Sequence, residues 1–398
     1  FFQANTPTLQ YSNTPEPVVI LLRTVFCPDC ALRIRPFVLG KKCWLHCTAV
    51  LYSWAVDSKT PWTRLIPQMP PANDPKVLAE GIDRFATCRI LVVGDLVVDE
   101  FLWGQVERIS PEAPVPVVEV ERESLMLGGA GNVGNNIIAL GGQVIICGVI
   151  GNDPMGREVD RMLRQLKSPI HGLVVEETRP TTIKTRVVAH SQQVVRADRE
   201  ERRPANEESI NRIITTIKKE LSKSDAVVVA DYGKGVVTQS LMDGIRSLTD
   251  SSQIILAVDP KVQNLALYKD VTLITPNTQE AQLMSGIIIE DEESLRRAGT
   301  RLLEELGCGL VLITQGDKGM TLLERNGRTT QIPTVARKVF DVSGAGDTVI
   351  GTFTLALAAG LTSRQAAELA NMAAGIVVGE VGTATVTASR LKKAILGG

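Results

Sequence analysis

The chain has 398 residues, of which 44% are hydrophobic, 22% charged and 4% aromatic, a composition typical of a globular α/β protein. Its 43 basic and 44 acidic residues nearly cancel, so no field of one sign is available to hold a nucleic-acid backbone or an anionic membrane surface. The charge therefore predicts a small-molecule partner, with no nucleic-acid and no membrane partner.

The hydropathy pattern predicts a cytoplasmic protein. No apolar run approaches the about 20 residues that span a bilayer, and the run from Val18 to Leu22 is ended by Arg23. The first residues carry neither the basic stretch nor the small-residue cleavage site of a secretory signal. Cys88, Cys147 and Cys308 lie in apolar segments, which predicts reduced, buried thiols.

Residues 1–85 differ from the rest of the chain. They hold three of the four Trp and four of the seven Cys without sustained helical or strand periodicity. We predict an atypical, poorly ordered N-terminal extension over this range. Its cysteine spacing resembles a small zinc site, and the alternative is a segment that is not natively translated. The candidate ligands are Cys27, Cys30, Cys43, His46 and Cys47.

From Arg89 onward, apolar strands alternate with amphipathic helical stretches. This order is typical of a parallel sheet covered by helices on both faces. Residues 115–121 and 181–199 alternate polar and apolar residues instead, which predicts a small β-sheet lid with one wet face. The predicted strands of the main sheet are Ile90–Val93, Val144–Val149, Ala226–Ala230, Ile254–Val258, Thr272–Ile274 and Leu310–Ile313.

The string from Asp341 to Thr348, DVSGAGDT, precedes a run of small apolar residues. Glycines before a helix let backbone N–H groups converge on an anion, and the helix dipole adds to the attraction. In the functional interpretation, Gly344, Ala345 and Gly346 stabilise charge on a transferring phosphoryl group while Asp347 accepts a proton from an attacking alcohol. The alternative is that Asp347 only caps the helix. The sequence contains neither a GxxxxGK[ST] motif nor the protein-kinase motif set, which excludes those two kinase classes.

This string resembles the C-terminal signature of the ribokinase/phosphofructokinase-B family of carbohydrate kinases. Further motifs are similar to the heptose-7-phosphate kinase branch, which forms one half of bacterial ADP-heptose synthases. The resemblance implies an α/β fold over residues 86–398: a ribokinase-like three-layer sandwich with a mostly parallel central sheet and a small β-sheet lid. The motifs follow one another at residues 90–95, 108–116, 128–132, 181–186, 192–198, 230–235 and 277–280.

The same resemblance implies ATP and Mg²⁺ as cofactors. Asp347 is implied as the catalytic base and the turn from Gly344 to Gly346 as the anion hole. Glu280 is implied to hold Mg²⁺ through water, which suits an ion that prefers oxygen ligands and keeps several waters. The alternative is an ordinary helix start after Pro276. The implied nucleotide-binding residues are Asn277, Thr278, Gln279, Glu280 and Gly316.

The sugar is expected at the other half of the fold. Asp95 and Asp99 follow the first strand, where open α/β sheets place their ligand crevice. Gly128, Gly129 and Asn132 would let the backbone approach a sugar closely, and their alternative is a glycine turn that caps the next helix.

Four cations are candidates for a phosphate already present on the acceptor, because such a group requires charge-assisted partners. For the three on the lid strands the alternative is a solvated strand face, whereas the fourth, Lys234, lies in a turn. The four are Lys184, Arg186, Arg196 and Lys234.

The resemblance implies transfer of the γ-phosphoryl group of MgATP to O1 of D-glycero-D-manno-heptose 7-phosphate, in ADP-heptose biosynthesis. One alternative is another kinase of the family, acting on a ketohexose, a pentose or a nucleoside. Another is a non-catalytic sugar or nucleotide sensor. By analogy with the family, the lid strands predict a homodimer, and a nucleotidyltransferase activity is expected on a separate polypeptide.

Overall fold

The computed structural model describes residues 74–397 except residues 191, 251, 253, 337, 338 and 381. The candidate zinc ligands lie outside the described residues, as does most of the predicted extension.

Strands and helices alternate along the described residues. The strands are β1 Arg89–Gly94, β2 Leu96–Ile109, β3 Pro116–Gly129, β4 Gln143–Gly151, β5 Leu173–Glu176, β6 Thr182–Ala189, β7 Gln192–Arg199, β8 Ala226–Ala230, β9 Ile255–Asp259, β10 Leu273–Ile274, β11 Leu310–Thr314, β12 Met320–Glu324 and β13 Thr329–Ile332. The helices are α1 Pro75–Asp83, α2 Ala130–Ala139, α3 Pro154–Gln165, α4 Glu207–Glu220, α5 Gln239–Thr249, α6 Thr278–Ser285, α7 Glu292–Leu306, α8 Ala345–Ala358, α9 Ser363–Val377 and α10 Ala388–Ile395.

The main sheet has the order β13-β12-β11-β10-β9-β8-β1-β4-β5. Its strands from β11 to β5 pair in parallel, and the β11-β12-β13 edge is antiparallel. All six strands predicted for this sheet are present, as β1, β4, β8, β9, β10 and β11. The predicted fold class is therefore confirmed.

Helices cover both faces of this sheet because its strands are apolar on both sides. On β1, Ile90 and Val92 pack into a core shared with α1, α2, α3, α8, α9 and α10. Leu91 and Val93 point to the opposite face and pack against α4, α5, α6 and α7. The result is the predicted three-layer sandwich, with the carboxyl ends of β1, β8 and β9 at one edge.

Helix α1 joins this core although the sequence assigns it to the extension. Asp74 caps the helix, and Leu78, Ile82 and Phe85 are buried in the same core as β1. The Arg84 side chain donates to the Ala359 carbonyl at 2.7 Å. Residues 75–85 therefore pack as part of the main body, which corrects the predicted boundary at residue 85. The remaining residues of the predicted extension, before Asp74, lie outside the described range.

A four-stranded sheet with the order β3-β2-β6-β7 forms the lid. Of the predicted segment 115–121, residues 116–121 lie in β3, and the predicted segment 181–199 contains β6 and β7. Strand β2, which the sequence does not predict, pairs with both β3 and β6. Only Asp95 separates β1 from β2, so the apolar run of the first strand continues into the second and hides the boundary.

Two further predictions concern solvent and membrane exposure. Cys88, Cys147 and Cys308 are free and buried, as predicted. None of the helices in the described part of the chain combines the length and apolar character needed to cross a bilayer.

Candidate active site

The turn from Gly344 to Gly346, called the glycine turn below, forms the start of α8. Gly344 is the N-cap and has φ +78°, a left-handed conformation that favours glycine. A Cβ on Gly344 would lie 2.5 Å from Asn132 Nδ2, whereas a Cβ on Gly346 would meet no atom within 4 Å. Because free space adjoins Gly346, a phosphate group can approach the amides at this helix start.

Asp347 lies in the first turn of α8 and is only 2% exposed. Its Oδ2 accepts a hydrogen bond from Asn132 Nδ2 at 2.8 Å, and its Oδ1 accepts one from the Tyr232 hydroxyl at 2.6 Å. Burial raises the pKa of Asp347 to about 6, and the two hydrogen bonds oppose part of that rise. The helix cap is Gly344, so the capping interpretation of Asp347 does not describe this geometry.

Tyr232 stands in a turn that connects β8 to α5, and the sequence analysis does not single it out. Asp95 fixes this turn. Its Oδ2 accepts from the backbone N–H groups of Tyr232 at 2.8 Å and Lys234 at 3.0 Å, and its Oδ1 accepts from Val236 at 3.0 Å. Burial and the nearby Asp231 raise the pKa of Asp95 to about 6. These bonds take up three of the four acceptor positions of a carboxylate, and Asp95 is only 1% exposed. Asp95 therefore holds the turn, and its predicted sugar contact stays a prediction.

Asp99 lies on the lid strand β2 instead of at the end of β1. It is in register with Lys184 on β6, and it forms an ion pair with Arg186. A Cβ on Gly128 would lie 2.3 Å from Asp99 Oδ2, so glycine is required for this carboxylate to sit against β3. Gly129, at φ +57°, caps α2, which agrees with the structural alternative for that residue.

Lys184 on β6 reaches Tyr232 and acts on the charge of Asp347, whose pKa it lowers. Its ammonium lies 5.2 Å from the centroid of the Tyr232 ring, and burial lowers its pKa. Among the residues that the structure describes, the other three predicted cations each pair with a carboxylate while Lys184 forms no ion pair. The pairs are Arg186 with Asp99, Arg196 with Asp198 and Lys234 with Glu200.

The predicted nucleotide residues meet at the carboxyl ends of β10 and β11. Asn277 and Glu280 form a capping box at the start of α6, which is the helix start named as the alternative. Thr278 Oγ1 donates to the Thr314 carbonyl at 3.2 Å, and Gln279 is exposed on the same turn. Gly316 has φ +60° and adjoins open space. The structure thus brings all five predicted residues to one edge of the sheet.

The charges at this edge fit a magnesium–nucleotide complex. Lys261 Nζ contacts Glu280 Oε1 at 2.7 Å. Burial, with Asp347 as the next cause, raises the pKa of Asp259 to about 8. Mg²⁺ is bound by oxygen ligands and is often held by one or two carboxylates plus water and phosphate oxygens. Glu280 and Asp259 are the carboxylates that would hold it, and Lys261 adds a cation for the phosphates.

The protein resembles known carbohydrate kinases in sequence. The pfkB family carbohydrate kinase profile matches residues 89–390. The bifunctional protein HldE of Desulfatibacillum aliphaticivorans is 47% identical over 311 residues, and that of Citrifermentans bemidjiense is 48% identical over 304. These alignments cover 78% and 76% of this chain, but 64% and 62% of the relatives. The chain therefore spans less than two thirds of the length of these relatives.

Solved structures share the fold at low sequence identity. The ribokinase of Arabidopsis thaliana complexed with ribose and ATP has a TM-score of 0.63 at 16% identity, covering 77% of this chain and 98% of that one. Phosphofructokinase-2 of Escherichia coli in complex with substrates and products has a TM-score of 0.64 at 18% identity, covering 78% and 98%. With the glycine turn and the fold in place, the family match leads to one conclusion: the chain belongs to the pfkB family of carbohydrate kinases.

Proposed function

We propose that this kinase transfers the γ-phosphoryl group of ATP to O1 of D-glycero-D-manno-heptose 7-phosphate, giving the 1,7-bisphosphate for ADP-heptose biosynthesis. The observation that carries the proposal is the position of Asp347. It lies between the glycine turn at the start of α8 and the lid face that carries Lys184, with Tyr232 in contact with both Asp347 and Lys184.

In the proposed reaction, the oxygen of the sugar hydroxyl attacks the γ-phosphorus in line with the leaving ADP, and Asp347 accepts the proton of that hydroxyl. The amides of Gly344 and Gly346 donate to the phosphoryl oxygens where negative charge develops. The Ala345 N–H, also predicted for this role, already donates to the Val342 carbonyl at 3.2 Å. When bound, Mg²⁺ supplies charge neutralisation between the phosphates. The lid excludes water that would otherwise compete with the acceptor.

The cations of the lid support a phosphorylated acceptor. Lys184 and Arg186 stand two residues apart on β6 and therefore face the same side of the lid. A phosphate at the far end of the sugar would gain charge-assisted hydrogen bonds there. The resemblance of the lid motifs to heptose-7-phosphate kinases and the similarity to the HldE relatives favour the same acceptor.

A second candidate acceptor is an unphosphorylated ketohexose, pentose or nucleoside. The ion pairs of the lid favour it, because Arg186 and Arg196 already face carboxylates in the same sheet. A neutral sugar could be held through hydroxyl contacts to Asp99 without displacing those pairs. The two candidates differ in what Lys184 does.

Replacing Lys184 separates them. The purified full-length chain is assayed for ATP consumption with a panel of sugars and sugar phosphates that includes the heptose 7-phosphate. With Lys184→Met, we expect kcat/KM for the phosphorylated acceptor to fall about 10- to 100-fold more than that for a neutral sugar, since a hydrogen bond to a charged group contributes about 1.5–3 kcal/mol.

Lys218→Met removes an exposed lysine of α4 and is the matched control, expected to leave both rates unchanged. Selective turnover of a neutral sugar by the unaltered protein would contradict the heptose 7-phosphate proposal while leaving the kinase chemistry in place.

The pKa of Asp347 sets an acidic limit to activity. A general base must be ionised, and the pKa of Asp347 is raised to about 6. We therefore expect kcat/KM to fall about tenfold per pH unit below pH 6 and to level off above it. Initial rates between pH 5 and 8 check this, and a rate that stays constant down to pH 5 would contradict the assignment of the base.

The lid also supports the predicted homodimer, which remains a proposal. Several apolar side chains of β2, β3 and β7 and of the loop before β3 are exposed, and lid sheets that pair would cover them. Light scattering that reports one chain per particle would contradict this assembly. The exposed residues are Ile109, Val115, Val120, Val194 and Val195.

A further inference from the structure

We propose that Tyr232 is a positioning residue for phosphoryl transfer, whose phenol holds the Asp347 carboxylate toward the acceptor hydroxyl. The inference rests on Asp347 acting as the proposed base. It adds a residue that the chemistry of the glycine turn alone does not require.

The geometry around Asp347 carries the inference. The Tyr232 hydroxyl reaches Oδ1 at 2.6 Å and Asn132 Nδ2 reaches Oδ2 at 2.8 Å. Donors from two separate elements fix the rotation of the carboxylate about its Cβ–Cγ bond. Because each oxygen accepts one bond and has a second lone pair, the carboxylate keeps acceptor capacity for the sugar hydroxyl.

The phenol acts as a donor and not as a second base. Burial and the neighbouring Asp347 raise the pKa of Tyr232 well above its ordinary value, so the hydroxyl stays protonated throughout the working range. Its hydrogen bond lowers the pKa of Asp347 against the effect of burial. The phenol therefore favours the ionised form of the base.

Tyr232 is itself held by contacts to its backbone and to its ring. Asp95 binds the backbone of its turn, as described above, and two ammonium groups lie over its ring. Lys184 from the lid is 5.2 Å from the ring centroid and Lys261 from the nucleotide edge is 5.6 Å away. Through these cation–π contacts the ring lies against both the lid lysine and the lysine that pairs with Glu280, and its hydroxyl donates to Asp347.

The test is Tyr232→Phe in the full-length chain, which removes the hydroxyl and keeps the ring. We expect kcat to fall about 10- to 100-fold, as for a lost hydrogen bond to a charged group, while KM for ATP and for the acceptor stays within about threefold. The acidic limb of kcat/KM is expected to move upward by about one pH unit. Calorimetric titration with ADP is expected to give an unchanged affinity.

Tyr268→Phe is the matched control. Its hydroxyl donates to another buried carboxylate, Asp231, so the control removes the same chemical group without touching Asp347. We expect its acidic limb to remain where it is in the unaltered protein, even where its melting temperature falls.

A double variant separates a failure of this inference from a failure of the proposed base. In the Asp347→Asn background, Tyr232→Phe should cost less than about twofold, because residues that act through one another are not additive. An unmoved acidic limb in Tyr232→Phe, or a full loss on top of Asp347→Asn, would overturn the positioning role. Near-normal turnover by Asp347→Asn alone would overturn the base itself.

Discussion

Asp347→Asn is expected to reduce kcat by about 10² to 10⁴, the range that a positioned general base contributes. The substitution keeps the shape of the side chain and removes its capacity to take a proton. The amides of the glycine turn and the residues of the nucleotide edge are unchanged, so the affinity for ATP should stay within about threefold. Single-turnover rates and calorimetric titration with nucleotide measure the two quantities.

The stability of Asp347→Asn shows whether lost activity reflects lost structure. The folded-state pKa of Asp347 is raised from 3.8 to about 6, so ionisation of this carboxylate disfavours the folded state. Native stability from this group is present below pH 4 and is lost as pH rises to about 6. Asparagine does not ionise, so the variant does not lose this stability as pH rises. At pH 8 its melting temperature should therefore equal or exceed that of the unaltered protein. If Asp347→Asn is inactive and also melts at a lower temperature than the unaltered protein, its inactivity would not support the role of Asp347 as base.

Asp243→Asn is the control for Asp347→Asn, since Asp243 is an exposed carboxylate on α5. It should leave turnover and nucleotide affinity unchanged. Near-normal turnover by Asp347→Asn beside this control would remove Asp347 from the role of base and would redirect attention to water-mediated proton loss from the acceptor.

The sequence predicts six of the nine strands of the main sheet, and these six are buried on both faces, whereas β5, β12 and β13 are not predicted. A run such as Ala226–Ala230 is apolar at every position, and burial of each residue accounts for that pattern. The glycine turn is predicted equally well, since Gly344 adopts a left-handed backbone conformation that few other residues allow. These features are recorded in single, contiguous stretches of the chain.

The parts that the sequence does not predict depend on contacts between distant stretches. Tyr232 reaches Asp347 across 115 positions, and nothing near Tyr232 in the chain indicates that partner. Asp95 follows the first strand directly, which predicts a ligand contact in the crevice at the end of the sheet. Its oxygens instead accept hydrogen bonds from a turn 137 positions or more away. A carboxylate can either bind a ligand or hold a turn of the backbone, and only the fold shows which of the two it does.

The sequence analysis misses strand β13 and helix α1 for a different reason. Only one of the four residues of β13 is buried, so a short edge strand of this kind carries no apolar run to identify it. Helix α1 follows a stretch of different composition. Its residues Leu78 and Ile82, with Phe85 in the turn that follows, are identified as core residues only from the core that they join. Composition predicts an extension over residues 1–85 and so assigns α1 to it, although α1 packs into the core.

Gly346→Ala is expected to preserve the fold and to reduce kcat/KM for ATP by at least about 100-fold, the scale of losing one donor to a developing oxyanion. A Cβ at this position meets no protein atom within 4 Å, and alanine is favoured over glycine in a helix by about 0.5–1 kcal/mol. The melting temperature should therefore be unchanged or raised. The added methyl group instead occupies the free space through which phosphate oxygens would reach the amides.

Gly344→Ala is the contrasting variant in the same turn. At φ +78° a side chain is strained by about 1–3 kcal/mol, and its Cβ would lie 2.5 Å from Asn132 Nδ2, the donor to Asp347. This variant should therefore lose stability as well as turnover. Thermal melts and initial rates on the two variants distinguish a ligand-facing from a structural glycine. If Gly346→Ala melts normally and binds and uses ATP normally, the space beside Gly346 is not where phosphate meets the helix, and the anion hole must be sought elsewhere along the turn.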